Sequence, residues 1–274
     1  MNYVIFLDLD GTLIDYKTNL PLSAARALNE AIDNGNIVFI CTGCSKIEIE
    51  ARNLPNVNGY IGGNGCYIEY NNQVIFHKPI SKEACKNFVN YCESNDLAYR
   101  LECNEGMFIS DDYEEKSSLA RFFYENGKEA DVKLMRHKQL PKYMIKGADM
   151  IRSTCNKTAF VLNDYSDFLK AKEFFKEFKV ETWGGKGEAA LYGSIMNSGI
   201  DKYTAIKKVM ELFPNYKSIA FGDGVVDIPM FKACDIGIAM GNASQEVKDN
   251  STYITDDVDS DGLYNAFKHF NVIL

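Results

Sequence analysis

The chain carries little that suits nucleic acid, membranes or sulfur-ligated metals. Its 274 residues include three histidines, one tryptophan and six prolines, and 30 basic residues face 38 acidic ones. The net charge of −8 argues against nucleic acid as the main partner, because affinity for a phosphate backbone rests on clustered Lys and Arg. No apolar run approaches the ~20 residues that span a bilayer. No basic stretch leads into an apolar segment and cleavage site at the N-terminus, so no signal peptide is expected and a cytoplasmic location is. The eight cysteines are scattered, which in a chain this long is no disulfide framework. Cys41-Thr42-Gly43-Cys44 does spell C-x-x-C. It has no second ligand pair, and His77, His137 and His269 lie far apart, so redox or metal chemistry there is disfavoured. No internal repeat or low-complexity tract is present.

What is present begins almost at once. Val4-Ile5-Phe6-Leu7 runs straight into Asp8-Leu9-Asp10-Gly11-Thr12-Leu13. The apolar run reads as a strand buried on both faces. Strand alternation puts Asp8 and Asp10 on one side, and Gly11 lets the backbone turn sharply. A lone D-x-D would read first as a solvated acidic turn. The long apolar lead-in, the glycine and the threonine favour chemistry instead: a magnesium-assisted carboxylate nucleophile with a second carboxylate as proton carrier.

A hydrophobic fraction of 46% supports an ample core, in one large domain or two smaller ones. Strand and helix patterns alternate, which predicts an α/β fold with a doubly wound, mostly parallel sheet. Helices are expected at 22–34, 45–54, 201–212, 228–233, 244–249 and 262–270. Strands are expected at 37–41, 59–61, 218–221, 236–240 and 253–255, with a hairpin over 66–77. From about Ser81 the rhythm changes to an α+β module: helices at 81–95, 112–127 and 165–178, strands at 98–103, 107–110, 158–162 and 180–183. The expected division is therefore 1–80 with 186–274 as one interrupted domain, and 81–185 as an insert. The Gly184-Gly185-Lys186-Gly187 run lacks Walker spacing and reads as a hinge or turn.

In open α/β sheets, ligands bind beyond the carboxyl ends of the strands. Asp8 and Asp10 end the first strand, Thr42 and Gly43 the second, and Asp223 a later one, with Asp227 four residues on. Lys202 opens a helix. Each has an ordinary alternative: a cap for Thr42, a solvated charge for Lys202, a plain turn for Gly222-Asp223-Gly224.

Taken together, Asp8-Leu9-Asp10-Gly11-Thr12-Leu13, Thr42-Gly43, Lys202, Gly222-Asp223-Gly224-Val225-Val226-Asp227 and Met240-Gly241-Asn242-Ala243 closely resemble the haloacid dehalogenase superfamily of phosphotransferases. The 81–185 insert resembles the α+β cap of its Cof-type branch. The resemblance implies a Rossmann-like core and roles for these residues. Asp8 would be the nucleophile, forming an aspartyl-phosphate. Asp10 would protonate the leaving alkoxide and then deprotonate water. Mg2+ would be held by Asp8, the carbonyl of Asp10 and Asp223, with Asp227 orienting the site or binding through water. Lys202 would neutralise the transferring phosphoryl group. Thr12 would orient the carboxylates. Thr42, the amides of Leu9 and Gly43, and Asn242 would meet phosphate oxygens.

The implied activity is that of a phosphoric monoester hydrolase acting on a small-molecule phosphate ester, sugar phosphates first and phosphorylated cofactors second, as a monomer or homodimer. A phosphomutase with the same nucleophile and a catalytically weakened phosphate-ester-binding regulator are the alternatives. Glu181, Trp183 and Tyr192 are candidate specificity residues near the expected hinge. Two positions depart from the pattern: Cys44 stands where arginine is frequent, and Val226 where asparagine would donate to phosphate. Losing one such hydrogen bond to a charged group costs about 1.5–3 kcal/mol, or ~10- to 150-fold in affinity or rate.

Overall fold

A computed structural model describes residues 2–126, 135, 140–185 and 187–274. The chain divides into two compact units, Met1–His77 with Gly199–Leu274, and Lys78–Ser198. The first unit begins with β1 (Tyr3–Leu7), α1 (Leu22–Asp33), β2 (Ile37–Cys41), α2 (Lys46–Glu50), β3 (Gly59–Gly62), β4 (Tyr67–Tyr70) and β5 (Gln73–His77). The second comprises α3 (Lys82–Ser94), β6 (Tyr99–Cys103), β7 (Gly106–Ile109), α4 (Tyr113–Asn126), β8 (Met144–Ile145), β9 (Cys155–Val161), α5 (Tyr165–Phe174), β10 (Phe178–Trp183) and β11 (Tyr192–Asn197). The first unit resumes with α6 (Lys202–Met210), β12 (Lys217–Gly222), α7 (Ile228–Ala233), β13 (Ile236–Ala239), α8 (Gln245–Asp249), β14 (Tyr253–Ile254) and α9 (Gly262–His269).

The sheet of the first unit runs β14-β13-β12-β1-β2-β3-β4-β5. It is parallel from β14 to β3, and β4 and β5 are antiparallel. Alternation along β1 explains its continuous apolar run. Ile5 and Leu7 face α1 and α9, packing with Leu28, Ala31, Ala266 and Phe267. Val4 and Phe6 face α6 and α7, packing with Ile206, Val209, Met230 and Phe231. Both faces are covered, so no polar position is tolerated until the strand ends. From β1 the chain winds outward through β2 and β3, and it later returns to β12 on the other side of β1. The order reverses between β1 and β12, and the crevice outside their carboxyl ends is where such sheets take ligands.

The second unit has its own sheet, β10-β11-β9-β6-β7-β8, antiparallel except for β7–β8. Helices α3 and α5 cover one face through Phe88, Cys92, Phe168 and Ala171. Tyr113 of α4 packs with Val161 and Tyr192 on the other. The ends of the unit are tied together: Asn197 donates to the carbonyls of Lys78 and Pro79 at 2.9 and 3.1 Å.

Several elements differ from the sequence expectations. The pattern predicts a helix over 45–54, but α2 ends at Glu50 and Asn53 takes a left-handed φ of 50°. The helix expected to reach residue 178 ends at Phe174, and β10 starts at Phe178. Strand β11 is absent from the sequence reading because Gly193 and Ser194 interrupt its apolar pattern. A Cβ at position 193 would collide with the Phe160 ring across the sheet, so glycine marks a close approach. Gly184 and Gly185 join β10 to β11 with positive φ angles. Gly184, Gly185 and Gly187 therefore lie in the connection between β10 and β11 inside the second unit, and the second crossing falls at Ser198/Gly199 rather than at 185/186. Gly127, His137 and Lys186 lie outside the described residues.

Candidate active site

β1 carries Asp8 to the reversal point, where its amide donates to the Phe221 carbonyl of β12 at 3.0 Å. The chain then turns: the Leu9 carbonyl accepts from the amides of Leu13 and Ile14, both at 3.0 Å. Gly11 makes this turn possible with φ 90°. A Cβ there would collide with the Asp223 carboxylate and the Tyr16 hydroxyl. Gly11→Ala therefore combines a left-handed backbone with a direct clash at Asp223. It should lower hydrolysis on the order of 100-fold, a loss of the size expected when catalytic geometry moves by ~1 Å. Retention of wild-type kcat/KM would show that the turn is plastic.

β12 delivers Asp223, and the following turn delivers Asp227. Carboxylate oxygens of Asp8, Asp223 and Asp227 lie within 4.8 Å of one another, all three residues buried. Asp227 is fully engaged. Its Oδ2 accepts from the amides of Asp223 and Gly224 at 3.2 and 2.9 Å, and its Oδ1 from Lys202 Nζ at 2.6 Å. Lys202 Nζ also donates to Asp8 Oδ1 at 2.7 Å. Asp201 caps α6 by accepting from the Thr204 amide at 2.8 Å, which places Lys202 at the first helical position. A cation is disfavoured at a helix N-terminus, and burial adds to that cost. Asp227 and Asp8 outweigh both and hold the ammonium well above its ordinary value. Burial and the neighbouring Asp227 push Asp8 up to about 7 despite Lys202. Burial also raises Asp223.

Three carboxylates thus face one ammonium in a buried space. The surplus negative charge and the hard oxygen donors suit a divalent cation of the magnesium type. Asp8 and Asp223 would be its side-chain holders, with Asp227 fixing Lys202 and the loop.

The other expected residues are placed as follows. Asp10 stands outside the carboxylate group, with its side chain 39% exposed and paired to Arg52 Nη1 at 3.3 Å. Thr12 Oγ1 donates to Asp223 Oδ1 at 3.1 Å. Thr42 is buried at the end of β2, and its Oγ1 accepts from the Cys44 amide at 3.2 Å. Gly43 follows it, before the Ser45 cap of α2. Asn242 bridges loops, donating to the Gly11 carbonyl at 2.8 Å and accepting from the Val258 amide at 2.9 Å. Val226 is 63% exposed. The Cys41 thiol is buried and pushed well above its ordinary range by burial, which leaves it inert.

In the second unit, Trp183 and Tyr192 stack at 4.0 Å as a cross-strand pair, and Glu181 pairs with Lys179 at 2.7 Å. Tyr192 is a packing residue there, 2% exposed. Two site neighbours escape sequence reasoning. Arg52 beside Asp10 has no motif signal. Tyr16, whose hydroxyl donates to Asp223 Oδ2, shows only as an aromatic shortly after Thr12.

The chain is similar to known proteins along nearly its whole length. A family model described as haloacid dehalogenase-like hydrolase matches residues 5–267. The chain is 26% identical to Phosphatase YwpJ of Bacillus subtilis (strain 168), over 97% of this chain and 99% of the relative. It is 25% identical to the 5-amino-6-(5-phospho-D-ribitylamino)uracil phosphatase YwtE of the same organism, over 94% of each. Among solved structures, BT1666 from Bacteroides thetaiotaomicron, a phosphatase of the haloalkanoate (HAD) enzyme superfamily, superposes with TM-score 0.78 at 28% identity, covering 100% of this chain and 96% of that one.

Proposed function

The chain belongs to the haloacid dehalogenase-like hydrolase family, and on that premise we propose that it is a magnesium-dependent phosphatase working through an aspartyl-phosphate on Asp8. At the coarser level it is a phosphoric monoester hydrolase of small phosphorylated substrates, as its relatives' names indicate. The observation that carries the finer reading is the arrangement of Asp8 at the strand reversal point. It is held by Lys202 and flanked by two further carboxylates.

Asp8 attacks phosphorus and displaces the alkoxide, forming the acyl phosphate. Lys202 opposes the burial that favours a protonated nucleophile, and it offsets charge on the phosphoryl oxygens. Asp10, outside the carboxylate group and accessible, enters as the neutral carboxylic acid, released from Arg52, and gives its proton to the departing alkoxide. The same carboxylate then takes a proton from the water that hydrolyses the acyl phosphate. Thr42, with the amides of Leu9 and Gly43, cradles phosphate oxygens. Bound magnesium would lower the repulsion between anionic nucleophile and anionic ester. We assign the second unit as the cap. Sugar phosphates and phosphorylated cofactors are the substrate classes we assign.

A panel of phosphate monoesters tests this. With Mg2+ at least one member should release inorganic phosphate, and excess EDTA should reduce the rate by on the order of 100-fold or more, the scale of metal-ion charge stabilisation. Hydrolysis undiminished by EDTA would exclude the metal. An isomerised ester in place of free phosphate would make the protein a mutase.

A further inference from the structure

Tyr16 lies on a turn that Asp15 ties down, accepting from the amides of Lys17 and Asn19 at 2.8 Å each. Tyr16 is 69% exposed, and an exposed aromatic alone needs no explanation. Its hydroxyl does need one, because it reaches inward and donates to Asp223 Oδ2. Asn242 faces the same hydroxyl. Thr12 donates to the other oxygen of that carboxylate. Asp223 is therefore held at both oxygens from one loop, and each oxygen keeps a lone pair for a further partner. We propose that Tyr16 is a positioning residue, which fixes the Asp223 carboxylate for cation binding and so sets the affinity of the site for magnesium.

This inference rests on the reading of Asp8 and Asp223 as the side chains that hold the cation. Hydrogen bonds behind a metal-holding carboxylate fix its orientation, and losing one typically costs ~10- to 100-fold in metal affinity. The geometry separates this role from a structural one. The ring packs little and the turn is held by Asp15, so the hydroxyl can be deleted without opening the core.

Titration calorimetry of the full chain with MgCl2 is the test, on wild type, Tyr16→Phe and the neighbouring control Lys17→Ala. Tyr16→Phe should bind magnesium ~10-fold or more weakly, while the control matches wild type. At saturating magnesium, kcat of Tyr16→Phe should stay within about threefold of wild type, because the lost affinity is recovered by mass action. Its metal-free melting temperature should stay within ~2 °C, as for other surface changes. A dissociation constant for Tyr16→Phe within about twofold of wild type, or a tighter one, overturns the inference and leaves the metal reading intact. A wild type that takes up no magnesium overturns both.

Discussion

Asp8→Asn abolishes phosphate release, by on the order of 10⁴-fold or more, since removal of a nucleophile that forms the covalent intermediate leaves only binding and electrostatic contributions. The fold survives the change. Asparagine keeps the shape and can still accept from Lys202 through its amide oxygen. Stability moves the other way from activity. Burial and the neighbouring Asp227 push Asp8 up to about 7 in the folded protein, so between the ordinary carboxylate range and that value the folded chain holds a proton that the unfolded chain has lost. Stability therefore falls as pH rises through that window. The asparagine variant has no such penalty. At pH 8 without metal it should be the more stable of the two, by at most about 4 kcal/mol, and should melt at the higher temperature. The parallel measurements are phosphate release and melting at pH 5 and pH 8. Activity surviving at a tenth of wild type would remove Asp8 from the nucleophile's role. A destabilised variant at pH 8 would mean that Lys202 outweighs burial and the other carboxylates.

Lys202→Met has the opposite signature, losing activity and stability together. Lys202 is 3% exposed and bonds both Asp8 and Asp227. Methionine fits the space but leaves two buried carboxylates without their cation. Breaking a buried pair in this way costs about 3–5 kcal/mol. Loss of charge stabilisation at the transferring phosphoryl group should lower kcat by ~10²- to 10³-fold. Added magnesium should restore part of the stability but little of the rate, because a cation held by Asp8 and Asp223 does not replace the ammonium at Asp227. Denaturant melts with and without magnesium, together with kcat at saturating metal, check this. A loss of less than about tenfold in kcat would show that Lys202 is a structural counter-ion only.

Much of this was legible in the sequence where the signal is local. Asp8 and Asp10 stand out because four apolar residues precede them, and those residues alternate between two helix layers. Asp223 and Asp227 announce themselves the same way at the end of β12. Lys202 follows its helix cap directly. What escaped depends on contacts that no window contains. Tyr16 meets Asp223 across 207 positions, and nothing near Tyr16 marks it as other than a surface aromatic. Arg52 follows a helix shorter than its pattern, and its tie to Asp10 appears only once β1 and β2 are paired. Strand β11 was hidden by Gly193, whose missing side chain is what the Phe160 ring requires.

The bond from Asn197 back to Lys78 and Pro79 bears on how the polypeptide assembles. β1 and β2 pair with near neighbours, but β1 must also pair with β12 across the whole intervening unit. For a disordered insert, that closure would cost entropy rising with the logarithm of its length. A unit that folds on its own sheet and presents its two ends side by side behaves, for this purpose, as a short loop. The sequence separation of β1 and β12 is unchanged, but the loop to be closed between them is shorter in effect than the 121 residues from Lys78 to Ser198.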